Sequence, residues 1–424
     1  MLRKALKTFT ANSPLWRNAD YMKLFTSNTL TTLGGTVSQM ALPLTAIDLL
    51  HANATKMGWL TAAELAPFAL FSLPAGVWID RSRKKQLASL FEIISALALM
   101  SIPIAYLLGV LNFSLIMGVG FVIGCGYAIG GTAMQVYVNQ LVGKEHLVEG
   151  IGKLQAASSI AGILGPPLAA VIVAAVGAPL AIACDAICFV VSFGLLLSIK
   201  RDDLPAQNGE KQAFWTDIRL GLAFVWESPT LRALAIGAIF WVALFDGFRA
   251  LYVLFASHDL ELDAHGLAVV NTCGAVGALL SASIAPRLEK RFGARHLILA
   301  GYLLSALGYA AYACVPAQSV YRTLLAGGAM WIIDAGATLY VVPYLSLRQQ
   351  VTPDAMLGRM IATMRCVSVT AAPFGASLAG HMGDSVGIQR TLLALAALGI
   401  SLTIMAAWRM PRLEAPKTLG VANA

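Results

Sequence analysis

Charged side chains inside long apolar runs are the strongest sign of chemistry in this sequence. Six residues of this kind stand out: Glu64, Asp185, Asp246, Arg249, Asp334 and Arg365. An ionised group surrounded by lipid or packed helices costs several kcal/mol unless it is paired or hydrated. Residues in such positions bind protons, ions or the polar part of a substrate, so these six are the first candidates for a functional site.

Each candidate also has a plainer explanation. Asp246 and Arg249 are three residues apart, so they can pair on one helix face and simply hold that helix together. Asp334 has no basic neighbour in its own run, which makes it a candidate proton or substrate group. Asp185 is interpreted as a capping or packing residue. Glu64 lies in the outer third of its run, where a gate contact at that end of the molecule explains it as well as proton or substrate binding does.

An aromatic stripe runs along the same apolar stretch as the pair, and it contains Trp241, Phe245, Phe248, Tyr252 and Phe255. Packing or a lipid-facing surface explains such a stripe. If it faces a cavity instead, it suits a flat, apolar ligand. Adjacent residues are ~100° apart around a helix, so Phe245 and Asp246 cannot both point into one cavity. Arg249 lies nearer the border between the two directions.

The elements that position these residues are predicted to be membrane-spanning helices. The chain has 424 residues, of which 58% are hydrophobic and 12% charged, against about 25% charged in soluble domains. A helix needs ~20 apolar residues to cross a bilayer. The apolar runs predict an all-α membrane protein with twelve transmembrane helices, at 22–48, 57–79, 86–109, 113–140, 151–173, 178–199, 231–256, 266–286, 296–316, 320–346, 357–378 and 388–409.

The distribution of basic residues predicts the orientation. The net charge is +8, yet of the 30 Lys and Arg residues only Lys56, Arg322 and Arg390 fall on the far side of the predicted membrane. Arg249 and Arg365 lie within spans, and all the others fall on one side. Cytoplasmic loops are enriched in Lys and Arg, so both termini are expected in the cytoplasm. The basic balance therefore reports topology, and we expect no nucleic-acid partner.

The chain divides into two related halves around a polar linker. Six spans occupy 1–199, a linker occupies 200–230, and six more spans occupy 231–424. An amphipathic helix is predicted from Phe214 to Trp226 in the linker, along the cytoplasmic membrane surface. Matching residues recur 210 positions apart, in three pairs: Trp16-Arg17 with Trp226-Glu227, Asn139-Gln140 with Gln349-Gln350, and the loop 81–85 with 291–295. Such repeats are typical of transporters that bind substrate between two pseudo-symmetric six-helix bundles.

The loop between the second and third spans carries a motif. Gly76-Val77-Trp78-Ile79-Asp80-Arg81-Ser82-Arg83-Lys84-Lys85 resembles the major facilitator superfamily motif G-x3-D-[RK]-x-G-[RK]-[RK], with Arg83 where a glycine is usual. An ordinary basic cytoplasmic loop is the alternative. The resemblance implies that Gly76, Asp80 and Arg81 lock one conformation against the start of span 11, where Gly358-Arg359 is the expected partner.

Small residues suggest close helix contacts elsewhere. Gly165-Pro166 in span 5 resembles the Gly-Pro motif of export-type members, and it is expected to pack tightly against a neighbour across the interface of the halves. Plain small-residue packing is the alternative. Span 4 is rich in glycines that predict close packing: Gly120, Gly124, Gly126, Gly130 and Gly131. Span 4 lacks the arginine of many proton antiporters, which weakens a direct transfer of their proton relay.

Over its whole length the chain resembles the major facilitator superfamily, and within it bacterial drug and siderophore exporters of the macrolide-efflux and enterobactin-exporter type. Leu33-Gly34-Gly35, Gly165-Pro166 and Gly358-Arg359-Met360 carry this likeness together with the loop motif. The resemblance implies a monomer in the bacterial inner membrane that exports a small amphipathic compound by alternating access, driven by protons. It also implies that spans 1, 4, 7 and 10 line the cavity, with polar side chains from Asn28, Thr31, Gln135, Tyr137, Tyr340 and Tyr344.

An importer and an enzyme are the alternatives to an exporter. An importer on the same fold would use Arg249 and Arg365 to bind an anionic metabolite or a metal chelate. An enzyme is not expected, because the sequence has no paired-acid motif within a span, no nucleophile motif and no P-loop. The six cysteines lack metal-ligand spacing, so we expect no metal site and no cofactor, with the proton gradient as the energy source.

Overall fold

The protein is described by a computed structural model that covers residues 14–143, 145–200 and 214–409, without the side chains of 72–77, 80, 81, 214–218, 354 and 355. These residues form helices and loops, with no strand among them. The long helices are α1 (Ala19–Asp48), α2 (Ala54–Arg81), α3 (Lys84–Leu107), α4 (Phe113–Val142), α5 (Leu147–Val176), α6 (Ala178–Leu197), α7 (Pro229–His258), α8 (Ala264–Phe292), α9 (Ala294–Ala313), α10 (Arg322–Gln350), α11 (Asp354–Val386) and α12 (Ile388–Arg409). A short helix, Pro14–Arg17, precedes α1, and a linker helix, Phe214–Glu227, precedes α7.

Ten of the described helices, α3 to α12, are long and apolar enough to cross a membrane. α1 and α2 have the length but are not among the ten. α1 carries polar residues at Ser27, Asn28, Thr31, Thr32 and Gln39, which line a cavity and lower its mean hydropathy. The chain is therefore a multi-pass membrane protein, as the apolar runs predicted.

The 210-residue offset recurs in the backbone. α1 and α7 begin at 19 and 229, α2 and α8 at 54 and 264, α3 and α9 at 84 and 294, and α6 and α12 at 178 and 388. The turns before α2 and α8 repeat as well, because His51 and Glu261 both have positive φ, at 46° and 49°. Non-glycine residues rarely take this conformation, so its recurrence at the same offset supports duplication of one unit.

The predicted close packing of α4 is confirmed at most of its glycines. A π-helical segment, Gly126–Gly131, interrupts the helix. A Cβ at Gly120 would lie 3.1 Å from Cγ of Glu64, and one at Gly124 would overlap the backbone carbonyl of Glu64. Gly131 has no neighbour within 4 Å at that position, so the packing interpretation is wrong there. Gly120 and Gly124 thus bring α4 against α2, where Glu64 lies, while Gly126 and Gly130 bring it against α3.

Helices from the two parts of the chain meet at α2 with α11 and at α5 with α8. The α2–α11 contact is close, since a Cβ at Gly58 would lie 2.6 Å from the carbonyl oxygen of Ala376 and 2.9 Å from Cα of Gly380. It lies at the end of the molecule opposite the basic loops that contain Arg83 and Arg291.

The predicted linker helix is confirmed, and it packs against α11 and α7. Its contact face contains Gly221 and Val225, which are buried, while Leu222 is exposed. A Cβ at Gly221 would lie 3.2 Å from the carbonyl oxygen of Arg359, so this helix touches the start of α11. Its position on the membrane surface stays a prediction.

Candidate functional site

Four of the six predicted charged residues come together around Arg249. Its Nη1 lies 3.6 Å from Oδ1 of Asp246, one turn earlier on α7. Arg249 also interacts electrostatically with Glu64 of α2 and Asp334 of α10. One guanidinium therefore faces three carboxylates supplied by three helices, and we call these four residues the Arg249 cluster.

A cavity of about 210 Å³ contains the Arg249 side chain. Asp334 and Asn271 line it beside Phe245, Phe248 and Tyr252 of the aromatic stripe, and α1 contributes Thr36 and Gln39. Asp246 is only 8% exposed and does not line the cavity. The prediction that the aromatic stripe and Asp246 cannot both point into one cavity is therefore confirmed. Arg249, which lies between the two directions on the helix, does line the cavity.

The residues at the two ends of the aromatic stripe are buried against other aromatic side chains. The Trp241 ring lies 4.4 Å from the ring of Tyr340, and Phe255 is 2% exposed and lies 5.8 Å from the Tyr312 ring. Only the three residues in the middle of the stripe line the cavity. The residues at its ends therefore serve packing, and those in the middle are available to contact a ligand.

Glu64 and Asp334 occupy related positions in the two halves. Adding the 210-residue offset to Glu64 gives Gly274, and adding it to Gly124 gives Asp334. In the first half the acid is on α2 and faces Gly124 of α4; in the second half it is on α10 and faces Gly274 of α8. Asp334 Oδ2 occupies the space that a Cβ at Gly274 would need. Each half thus supplies one acid of this related pair, and a neighbouring helix of the same half supplies the glycine that makes room for it.

A larger cavity, of about 900 Å³, lies next to the first and shares Thr36 and Gln39 with it. Its wall comes mainly from α1, α3, α4 and α5 and mixes apolar with polar side chains. Asn28, Thr31 and Gln135 line it, as the sequence analysis expected. Arg365 of α11 also lines it. The cavity extends to Asn139 and Ile151, beside the basic end of the molecule.

Three predicted site residues lie elsewhere. Tyr137 is 1% exposed and packs with Tyr21 and Leu24, and Tyr340 is 2% exposed between the rings of Trp241 and Tyr302. Neither tyrosine lines a cavity, because each fills a gap between helices. The gating residue Gly165 packs on Thr36 of α1, in the same half, so the expected contact across the interface is wrong for it.

The neighbours of Gly165 make the contact between halves instead. A Cβ at Gly162 would lie 4.0 Å from Cβ of Ala275 in α8, and Pro166 lines the smaller cavity. The Gly-Pro segment therefore forms part of the cavity wall, and its role in gating stays a prediction.

The loop-motif lock also stays a prediction. Gly76, Asp80 and Arg81 lie in the last turns of α2, but their side chains are outside the described residues. Arg359 is partly buried at the start of α11, with Nη1 3.7 Å from Sδ of Met356.

One charged residue was missed by the sequence reasoning. Glu92 of α3 lines the larger cavity and interacts electrostatically with Asp185 of α6, which is 1% exposed. Glu92 lies inside the predicted span 86–109, about two turns after Lys84 and Lys85, but it is not among the six charged residues that the sequence analysis singled out. Its position within the span was the signal that could have identified it.

Comparisons with known proteins agree with this architecture. The family model described as "Transmembrane secretion effector" matches residues 9–422. The chain is 22% identical over 360 residues to the multidrug efflux pump Tap of Mycolicibacterium fortuitum, covering 83% of this chain and 86% of Tap. Among solved structures, the nucleoside transporter NupG superposes with a TM-score of 0.78 at 11% identity, covering 93% of this chain and all of NupG. A bacterial homologue of the iron transporter ferroportin, in an inward-facing state, gives 0.72 at 15% identity, with 92% and 98% coverage.

Proposed function

Because the chain belongs to the transmembrane secretion effector family of major facilitator transporters, we propose that it is a secondary active exporter that exchanges protons for an amphipathic organic compound, such as a drug, siderophore or secondary metabolite. In this proposal all twelve long helices cross the bacterial cytoplasmic membrane, with both termini inside. The bundles 1–199 and 231–424 rock about the cavities between them, and the linker 200–230 joins them.

The observation that carries the proposal is the charge of the Arg249 cluster. One guanidinium faces the carboxylates of Asp246, Glu64 and Asp334. Three ionised acids beside a single cation leave an excess negative charge in a low-dielectric interior, where the Coulomb energy is large. The missing positive charge is supplied by protons in one conformation and by a substrate in another. That exchange is what an antiporter needs.

The aromatic wall suits the substrate class. Phe245, Phe248 and Tyr252 line the cavity beside Arg249 and Asp334, so a flat apolar body can pack against aromatic side chains while its polar part reaches the charges. The adjoining larger cavity extends toward the basic end, while α2 and α11 close the opposite end. These features support an inward-facing state that is ready to take up substrate from the cytoplasm.

The test uses inverted membrane vesicles and ethidium, a flat amphipathic cation, as the probe. Asp334→Asn is expected to abolish ethidium transport driven by an imposed pH gradient, because the asparagine cannot carry a proton. Glu261→Gln removes an acid that is 78% exposed at the end of α7 and serves as the control, with transport unchanged. Transport by Asp334→Asn with the pH dependence of the parent protein would remove this residue from the coupling.

The alternative is an importer of an anionic metabolite or a metal chelate. It is favoured by Arg249 and Arg365, the basic side chains that line the two cavities. In right-side-out vesicles, this alternative expects uptake of a labelled organic anion such as citrate, lost in Arg249→Ala. Efflux of ethidium without anion uptake excludes it.

A further inference from the structure

A second pair of acids lies in the first half of the molecule, apart from the Arg249 cluster. Glu92 of α3 and Asp185 of α6 interact electrostatically. Glu92 Oε2 and Asp185 Oδ1 are both buried, and neither has a hydrogen-bond partner. Asp185 is held against α1, where its Oδ1 occupies the space that a Cβ at Gly34 would need. Two buried carboxylates therefore each keep an acceptor oxygen unused.

The surroundings of the pair are rich in hydroxyl groups. Ser192 of α6 lies beside Glu92, and its Oγ is 2.6 Å from Oγ of Ser27 on α1. Ser38 of α1 faces Asp185. Hydroxyl oxygens next to unused carboxylate oxygens form a shell of acceptors, which is what a small cation requires.

The titratable groups that face the pair are acidic or neutral. They are Tyr127 of α4, which interacts with both acids and with Glu64, and Cys188 of α6, which interacts with Asp185. Within the described part of the chain, no Lys, Arg or His acts on Glu92 or on Asp185. Arg365 lines the same large cavity but is not among the charges that act on either acid.

Two interacting carboxylates buried in a membrane interior, on which no basic side chain of the described residues acts, cannot both remain ionised with nothing bound, because their repulsion adds to the cost of burying each. We propose that Glu92 and Asp185 form a second binding site, which holds one small monovalent cation, either a proton or a sodium ion. Glu92 lines the larger cavity, so the cation enters the site from that cavity, and Asp185 is buried deeper between the helices. At the 210-residue offset the second half has Tyr302 and Leu395, so the site belongs to the first half alone.

This site does not depend on the direction of transport or on the organic substrate. It adds a cation to the cycle on helices α3 and α6, independently of Arg249, and it would exist equally in an exporter or an importer. Its test can therefore be made on the purified full-length protein without any transported compound.

The first experiment measures the thermal unfolding midpoint of the protein in nanodiscs between pH 6 and pH 9, in choline chloride and in sodium chloride at equal ionic strength. If a proton is the occupant, the midpoint falls as the pH rises, since the acids lose the proton that relieves their repulsion. If sodium is the occupant, sodium raises the midpoint at pH 9. Glu92→Gln, a neutral isostere, is expected to remove either response.

Glu145→Gln, which changes an exposed acid at the basic end, is the control and must keep the response. A pH response and a sodium response that are the same in Glu92→Gln as in the parent protein would overturn the proposal.

A second experiment needs no variant. Dicyclohexylcarbodiimide modifies protonated carboxyl groups in apolar surroundings, and mass spectrometry locates the adduct. We expect labelling of Glu92 at pH 6 that falls several-fold at pH 9 for a proton, or that sodium suppresses for a sodium ion. Absence of labelling at every pH, or labelling that neither pH nor sodium changes, contradicts the site.

Discussion

Asp384, near the end of α11, caps α2 by accepting a hydrogen bond from the backbone N–H of Ala54 at 3.0 Å. Its second oxygen accepts from the N–H of Thr55, also at 3.0 Å. A carboxylate at a helix N-terminus satisfies free N–H groups and the positive end of the helix dipole. Here the cap comes from a helix 330 residues away and joins the two parts of the chain at the end opposite the basic loops. In a transporter of this kind, that contact must break before this end of the molecule can open.

We therefore predict that Asp384→Ala shifts the protein toward the outward-open state. Loss of a helix cap costs about 1 kcal/mol, which changes a two-state population about fivefold. Spin labels on cysteines introduced at His51 and Val386, both exposed, would report the change as a larger population of long distances. Ser385→Ala is the matched control, since its hydroxyl bonds only within α11. Identical distance distributions for Asp384→Ala and Ser385→Ala would show that the cap does not hold this end closed.

The close approach of α2 and α11 gives a second prediction. A Cβ at Gly380 would lie 2.6 Å from the carbonyl oxygen of Ala54 and 2.9 Å from Cα of Gly58. Both neighbours are backbone atoms that cannot rotate away, so Gly380→Ala is expected to prevent full closure and to reduce transport at least tenfold. Gly328→Ala in α10 adds the same methyl group where nothing lies within 4 Å, and it should transport normally. Vesicle transport of ethidium measures both, and normal transport by Gly380→Ala would contradict the prediction.

The Arg249 cluster predicts an uneven response to neutralisation. Arg249→Ala leaves three acids without their shared cation, whereas Asp246→Asn leaves Arg249 with two acids. We expect Arg249→Ala to lower the free energy of unfolding by about 1–3 kcal/mol, and Asp246→Asn by less. In the double variant the loss should be smaller than the sum of the two single losses, because the residues are in contact. Unfolding in detergent, followed by tryptophan fluorescence, measures the loss for the two single variants and the double variant. Additive losses would show that Asp246 and Arg249 do not stabilise the protein as a pair.

A buried lysine at the basic end gives a prediction about stability alone. Lys153 of α5 is 1% exposed, with its Nζ 2.7 Å from Oε1 of Glu149 and 4.1 Å from the centre of the Trp16 ring. Glu149→Gln removes the charge that compensates the buried ammonium, at a cost of about 3 kcal/mol in the free energy of unfolding.

The matched control for that prediction is the exposed pair of Arg322 and Glu261, where Glu261 is 78% exposed. Because water screens such a pair, Glu261→Gln is expected to cost about 0–1 kcal/mol. Trp16→Leu should be intermediate, since a ring beside a cation contributes about 0.5–2 kcal/mol. Equal unfolding free energies for Glu149→Gln and Glu261→Gln would show that burial does not strengthen the Lys153 pair.

The helices of this protein were predictable because the signals that define them are local. The last span was placed at 388–409 and is observed as Ile388–Arg409, and the linker helix was expected at 214–226 and ends at Glu227. The length of an apolar run and the charges that flank it determine where a membrane-spanning helix begins and ends, and neither depends on residues far away in the sequence. The pairing of Asp246 with Arg249 is also local, since helix geometry brings residues three apart onto one face.

Tertiary structure decided which of these residues share a site. Glu64 and Arg249 are 185 positions apart, and nothing along the chain shows that they approach each other. In the first half an acid on α2, Glu64, faces a glycine on α4, and in the second half the acid is on α10 and the glycine on α8. This relationship appears only when the packing of α4 on α2 and of α8 on α10 is known. Tyr137 and Tyr340 were expected in the cavity because they lie in spans 4 and 10, which line it in the family that the chain resembles. Membership of a span does not fix which neighbouring helix a side chain faces. Composition, spans and the repeat were determined by the sequence itself, whereas the partners of each buried charge depend on long-range packing, which one helix cannot specify.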